Sequence, residues 1–239
     1  MSHQPLQSVV VTRPAGQEGT LMALLRERGF QPLHLPSLTI EPLALSAADT
    51  QKLVNVDLYH AVFFASTNAV KLALPILEDY WPQWPLGVHW LAVGSATAAA
   101  LEQVGLPVQA PSYGMDSEAV LELEALREVA GNKVLICRGN QGRSFLKEQL
   151  ESRGAQVDVL DLYQRCAVAE WRWPQADAIL INSVQSWQAV SAQVPTTAAV
   201  IAASERIAQV VQQTHARVTV AASALDLDMA TTLQTIRLD

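Results

Sequence analysis

Charge is sparse in this chain: Asp, Glu, Lys and Arg make up 16% of its 239 residues, and the net balance is −7. Lysines and arginines form no cluster and aromatic residues reach only 6%, so the basic, stacking surface that a nucleic acid needs is missing and none is expected as a partner. An acidic protein still binds an anion wherever arginines, amides and hydroxyls are concentrated. The two cysteines, Cys137 and Cys166, lie far apart without histidines at ligand spacing, and read as two buried thiols rather than a disulfide or a metal site. Among His3, His34, His60, His89 and His215 there is no HxxxH pair, so no metal is expected. No apolar run approaches a membrane span; stretches such as Ala178 to Ile181 suit buried strands. No charged-then-apolar leader precedes the first strand, which makes a cytoplasmic location the expectation. GxGxxG, GxxxxGK followed by Ser or Thr, and GxSxG are all absent, so neither a nucleotide loop nor a nucleophile elbow is indicated.

Hydrophobic residues, at 50%, fall into short β-branched runs alternating with helical patterns, the signature of a mostly parallel sheet covered by helices. Strands are predicted near Ser8 to Thr12, Pro32 to Pro36, Ala61 to Ala65, His89 to Val93, Pro107 to Ala110, Lys133 to Cys137, Gln156 to Leu162, Ala178 to Asn182, Ala198 to Ala202 and Arg217 to Ala221. Helices are predicted over Gly19 to Arg28, Thr67 to Leu77, Ala96 to Gln103, Ser117 to Val129, Arg143 to Ser152, Val184 to Ala192, Glu205 to His215 and Asp226 to Ile236. Gly29, Gly105, Gly131 and Gly154 stand where helices should end. The length suits two α/β domains.

A duplication supports that division. Val9-Val10-Val11-Thr12-Arg13 opens a loop and an amphipathic helix, with Gly29 following the arginine by 16 positions; Val134-Leu135-Ile136-Cys137-Arg138 and Gly154 repeat the pattern at an offset of 125. Ala61-Val62-Phe63-Phe64-Ala65-Ser66 parallels Ala178-Ile179-Leu180-Ile181-Asn182-Ser183, each a strand running into a serine that can cap the next helix. A third pair joins Leu91-Ala92-Val93-Gly94-Ser95 with Val200-Ile201-Ala202-Ala203-Ser204. Each half therefore offers three strand-to-helix junctions rich in hydroxyls, arginine and free amides, which is where α/β proteins hold anions.

With these elements in order, together with Val93-Gly94-Ser95-Ala96-Thr97-Ala98 and Leu160-Asp161-Leu162-Tyr163-Gln164-Arg165, the chain from Val9 to about Ile236 resembles uroporphyrinogen-III synthase. The resemblance implies two flavodoxin-like α/β domains joined by a two-stranded connector, with the active site in the cleft between them. One domain would be discontinuous, residues 1–36 plus 168–239; the other, 41–160, would be inserted, with 33–42 and 160–169 as connecting strands. It also implies a cofactor-free monomer that closes linear hydroxymethylbilane into a macrocycle, inverting the last pyrrole and losing water. A transient contact with the enzyme that supplies the substrate is the one macromolecular partner it suggests.

Tyr163 matches the family's tyrosine at the end of the connector and is the candidate catalytic residue: a phenol can donate a hydrogen bond to a departing hydroxyl. A half-buried strand tyrosine satisfied by backbone is the plainer reading. Arg13 and Arg138, with Gly139 beside the latter, are candidate carboxylate ligands, against the bland alternative of surface salt bridges. Ser66, Thr67, Ser95, Thr97, Ser183 and Ser204 offer donors to substrate carboxylates, and simple helix capping explains each equally well. Where the family often carries Gly and Thr, this chain has Ala202-Ala203-Ser204-Glu205-Arg206, so Arg206 is the candidate replacement. Trp81, Trp84, Trp90, Trp171 and Trp173 could contact a tetrapyrrole, and packing beneath a loop is the preferred reading; Asp116 or Ser117 is assigned to a helix cap. Two other classes fit a two-lobed α/β chain: a non-catalytic tetrapyrrole or anion sensor, and a flavodoxin-like redox protein, against which the lack of aromatic-flanked phosphate loops counts.

Overall fold

The computed structural model describes residues 7–112 and 117–236. It divides into two compact units, residues 1–39 with 166–239, and residues 40–165. Each is a mostly parallel sheet with helices on its faces.

The first unit contains β1 (Ser8–Val11), β2 (Gln31–His34), β9 (Ala178–Ile181), β10 (Ala199–Ala202) and β11 (Val218–Val220), in the spatial order β11-β10-β9-β1-β2. All adjacent pairs are parallel. The core strands β1, β9 and β10 are apolar along nearly their whole length because helices cover both faces. Helix α1 (Gly19–Glu27) buries Leu21, Met22 and Leu25. It ends at Gly29, whose φ of +84° is a left-handed conformation that any side chain would strain. The Gly29 amide donates to the Arg26 carbonyl and the Phe30 amide to Leu25, which satisfies carbonyls that the helix end leaves open. The duplicated helix α6 (Phe145–Ser152) closes identically at Gly154, with the Gly154 amide on Glu151 and Ala155 on Leu150.

The second unit holds β4 (Ala61–Phe64), β5 (His89–Ala92), β6 (Val108–Gln109), β7 (Lys133–Gly139) and β8 (Gln156–Ala167), with β3 (Leu38–Pro42) added at one edge: β3-β8-β7-β4-β5-β6. Period-two alternation sorts its strands onto two faces, with Val62, Phe64, Leu135 and Cys137 in one core and Ala61, Phe63, Val134 and Ile136 in the other. Trp90 is buried, and the indoles of Trp81, Trp84 and Trp171 donate to the carbonyls of Leu53, Val104 and Leu35, so these tryptophans pack within the fold.

Repeat-equivalent strands occupy equivalent places. Replacing β1, β2, β9, β10 and β11 by β7, β8, β4, β5 and β6 converts the first sheet order into the second, with β3 as the added edge strand. Only the chain order differs, since in the second unit the first copy element follows the others in sequence. The chain passes between the units through β3 and β8. The Val168 amide donates to Ser37 and the Leu43 amide to Leu162, so one number rises as the other falls and the pairing is antiparallel.

Several elements depart from the sequence reading. Two helical pieces, α2 (Ala47–Val54) and a single 3₁₀ turn, Val56–Leu58, precede β4 where the sequence pattern predicts neither. The helix expected over Ser117 to Val129 is broken into α5 (Ser117–Leu121) and a 3₁₀ turn, Glu124–Leu126. Helix α3 (Thr67–Tyr80) runs through Pro75, three residues past its expected end. The cap expected at Asp116 or Ser117 lies outside the described residues. Cys137 is fully buried as expected, but Cys166 is only partly so, since it lies on the exposed end of β8.

Candidate active site

Because β4, β5 and β7 run parallel, their carboxyl ends share one edge of the second sheet. Helix α3 carries the chain from β4 towards β5 and α6 carries it from β7 towards β8, so the connections part between β4 and β7. Such a switch point leaves a crevice where helices diverge. A cavity of about 330 Å³ lies there, lined among others by Ala65, Val93, Arg138, Gly139, Tyr163 and Arg165.

Tyr163 is 2% exposed. Its ring lies on Gly139, where a Cβ would come within 2.7 Å of the ring carbon Cε2, closer than any side chain could stand. The ladder between β7 and β8 slips between Arg138 and Gly139, so that Arg138 faces Asp161 while Gly139 faces Tyr163. The phenol oxygen lies 2.9 Å from Ser66 Oγ and accepts from Arg165 Nη2 at 3.3 Å. The Arg165 guanidinium carbon also stands 5.6 Å from the ring centroid. Arg165 is not among the candidates that the sequence singles out, although a signal exists: it stands two positions after Tyr163 and hence on the same strand face.

Both repeat arginines hold their own loops. Arg138 donates through Nε to Asp161 Oδ1 at 3.0 Å and through Nη1 to the carbonyls of Gly142 and Arg143. Arg13 reaches Asp226 Oδ1 at 2.6 Å, the Ala224 carbonyl at 3.2 Å and the Gln17 carbonyl at 3.4 Å. In each case one partner is a carboxylate and another is the carbonyl four residues on. A ligand carboxylate would have to share these guanidinium groups.

The hydroxyls divide by local geometry. Ser66 caps α3 by accepting from the Ala69 amide, and Ser183 caps α7 (Val184–Val190) by accepting from Ser186. Ser204 stands at the cap position of α8 (Glu205–Val211) without a side-chain cap bond, and Arg206 is exposed on that helix. Ser95, the first residue of α4 (Ser95–Glu102), is exposed after the Gly94 cap, whereas Thr97 is 4% exposed. Thr67 is half-buried at the start of α3. Ser66, Arg138, Gly139 and Tyr163 thus come together. Arg13, Ser183, Ser204 and Arg206 lie along the carboxyl edge of the first sheet, and Ser95 with Thr97 follows β5.

The first unit also has a feature the sequence did not announce. Thr12, Ser37 and Ser186 form a buried hydroxyl cluster in which Thr12 donates to the Leu180 carbonyl, Ser186 donates to Thr12, and Ser37 and Ser186 bond each other. At the second unit's repeat-equivalent positions stand Cys137, Leu162 and Ala69. Burial pushes the Cys137 thiol well above its ordinary range, which leaves it protonated and unsuited to nucleophilic work. Among the described residues, no group of three His, Cys, Asp or Glu side chains is placed to hold a metal, and no helix is long and apolar enough to cross a membrane.

A family profile described as uroporphyrinogen-III synthase HemD matches residues 19–230. The uroporphyrinogen-III synthase of Escherichia coli K12 is 29% identical over 79% of this chain and 80% of its own length. That of Salmonella typhimurium is 34% identical over 67% of this chain and 65% of its own. Among solved structures, a mutant uroporphyrinogen III synthase from Thermus thermophilus superposes with a TM-score of 0.60 at 17% identity, over 95% of this chain and 96% of that one. The Helicobacter pylori enzyme gives 0.58 at 16% identity, over 95% and 98%. At such identities the structures speak for the α/β fold alone. The profile, spanning most of the sequence, decides the rest: the chain belongs to the uroporphyrinogen-III synthase HemD family.

Proposed function

We propose that this protein cyclises hydroxymethylbilane to uroporphyrinogen III, with inversion of the terminal pyrrole and loss of water. The observation that carries the chemistry is the Tyr163 phenol, fixed between Ser66 and Arg165 on the floor that Gly139 provides. The substrate bears an acetate and a propionate on every pyrrole, so its recognition is a matter of anion binding. Open amides and hydroxyls at the ends of parallel strands suit such recognition. Ser66 and Thr67 stand after β4, Ser95 and Thr97 after β5, and Ser183, Ser204 and Arg206 in the first unit. The Gly139 backbone would contribute at the end of β7. Arg13 and Arg138 serve first as loop ties and would add positive potential without being committed wholly to substrate.

In the reaction, the bond between the terminal carbon and its hydroxyl breaks with the electron pair leaving on oxygen. Tyr163 donates to that oxygen, and water departs. The resulting azafulvenium cation is attacked by the substituted carbon of the last pyrrole; the spiro intermediate then fragments and recloses in the inverted sense. The final loss of a proton restores the aromatic pyrrole. Positioning contributes most here, because the chain molecule closes unaided into the wrong isomer if its ends are left to find each other. We propose that the protein acts as a monomer.

Incubation with freshly prepared hydroxymethylbilane, followed by oxidation and chromatographic separation of isomers, tests this reading. Predominance of the inverted isomer is expected. Product limited to the non-inverted isomer, at the rate seen without protein, would overturn it.

A further inference from the structure

We propose that Arg165 is a positioning residue for the cyclisation: it turns Tyr163 into a directed proton donor and holds the charge left on the phenol oxygen. This rests on the reading of Tyr163 given above. The two residues stand two apart on β8 and so share a strand face. The guanidinium contacts the phenol twice, by a hydrogen bond from Nη2 to the oxygen at 3.3 Å and by its position 5.6 Å from the ring centroid. Guanidinium is a donor only, so it occupies a lone pair of the phenol oxygen and cannot take the phenol hydrogen.

Ser66 completes the arrangement. Its oxygen already accepts from the Ala69 amide at the start of α3, and its own hydrogen can point to the phenol oxygen 2.9 Å away. With both neighbours donating, the phenol hydrogen is left for a third acceptor. Tyr163 and Arg165 both line the cavity at the β4 and β7 switch point, where the departing hydroxyl would supply that acceptor. The step balances simply. The carbon–oxygen bond breaks, the hydroxyl takes the phenol proton and leaves as water, and the phenolate rests between the Arg165 cation and the Ser66 hydroxyl. The proton released when the last pyrrole regains aromaticity returns to Tyr163. A charged donor beside the oxygen stabilises the phenolate far more than the phenol, so its effect belongs to the transition state rather than to substrate binding.

The experiment is a double-mutant cycle in the full-length protein with Arg165→Gln, Arg165→Lys, Tyr163→Phe and the Arg165→Gln, Tyr163→Phe pair, read as kcat and KM for hydroxymethylbilane. Arg165→Gln should lower kcat roughly tenfold, the size of one charge-assisted hydrogen bond, with KM little changed. Arg165→Lys should recover part of that loss. In the Tyr163→Phe background the same glutamine should cost nothing more, which a merely structural arginine would not show. Equal losses in both backgrounds, or a change confined to KM, would overturn the role of Arg165 while leaving Tyr163 in place. Full activity in Tyr163→Phe would remove both. Should Arg165→Gln melt early, the lysine variant alone still decides through its kcat in the two backgrounds.

Discussion

The Tyr163 ring stands so close to β7 that the residue beneath it has no room for a side chain, and that residue is Gly139. Replacing Gly139 by Ala would drive a methyl group into the Tyr163 ring. We expect a loss of about 1–3 kcal/mol in denaturant unfolding, the ordinary cost of overpacking, together with reduced turnover as the phenol swings away. Wild-type stability and rate in Gly139→Ala would show the ring free to move. Tyr163→Phe removes one hydroxyl from the same fit, and should slow cyclisation about a hundredfold or more while the melting transition shifts little. Tyr163 was legible as a candidate through its family motif. Its partners were not, because a contact between Ser66 and Tyr163 spans 97 positions and depends on which strands lie side by side.

At the scale of the element, two serines with one local role differ in what else they touch. Ser66 and Ser183 each cap a helix, so replacing either by Ala should cost about 1 kcal/mol of stability. Only Ser66 also meets Tyr163, and Ser66→Ala should therefore lower kcat more than Ser183→Ala, a comparison that steady-state kinetics on both variants makes directly. Asp177 ties the entrance of β9 to β1, since its Oδ2 accepts from the amides of Gln7 and Ser8 and from the Ser8 hydroxyl. Burial alone would raise its pKa, but these donors outweigh burial and lower it. A carboxyl depressed in the folded state adds stability above its unfolded value, near 4, and that stability disappears as pH falls through the lower folded value. Wild type should thus exceed Asp177→Asn in unfolding free energy at neutral pH, with the gap closing below about pH 4. A gap independent of pH would exclude the linkage.

The same scale shows what sequence patterns convey. The long amphipathic helices and apolar strands were legible because each carries a full period of its own pattern. Helix α2 was not: with only Leu53 fully buried among its residues, it has almost no apolar stripe to read. The break between α5 and the following turn was equally hidden, since the buried residues Leu121, Ala125 and Val129 recur every four positions, a spacing that suits a helix.

At the scale of the whole molecule, the duplication was visible as three pairs of motifs, yet similarity alone leaves open whether β1 partners β4 or β9. Hydrogen bonds decide it: β1 runs beside β9, and β7 beside β4. The fold therefore uses the same spatial arrangement of strands twice and threads it differently each time. Residues 40–165 have their own sheet and cores, and their two ends are neighbours, because Thr39 Oγ1 donates to the Cys166 carbonyl at 3.4 Å. That segment expressed alone should unfold cooperatively in urea with a far-ultraviolet helical signal, whereas residues 1–39 should not fold without 166–239. A segment 40–165 that lacks a cooperative transition would contradict this independence.

The antiparallel connector also governs how the protein would respond to a protease. One nick in either β3 or β8 should give two bands under denaturing conditions but a single particle otherwise, since β1 stays clasped between β2 and β9. Liberating the inserted segment would take a pair of cuts, one on each side of the ladder.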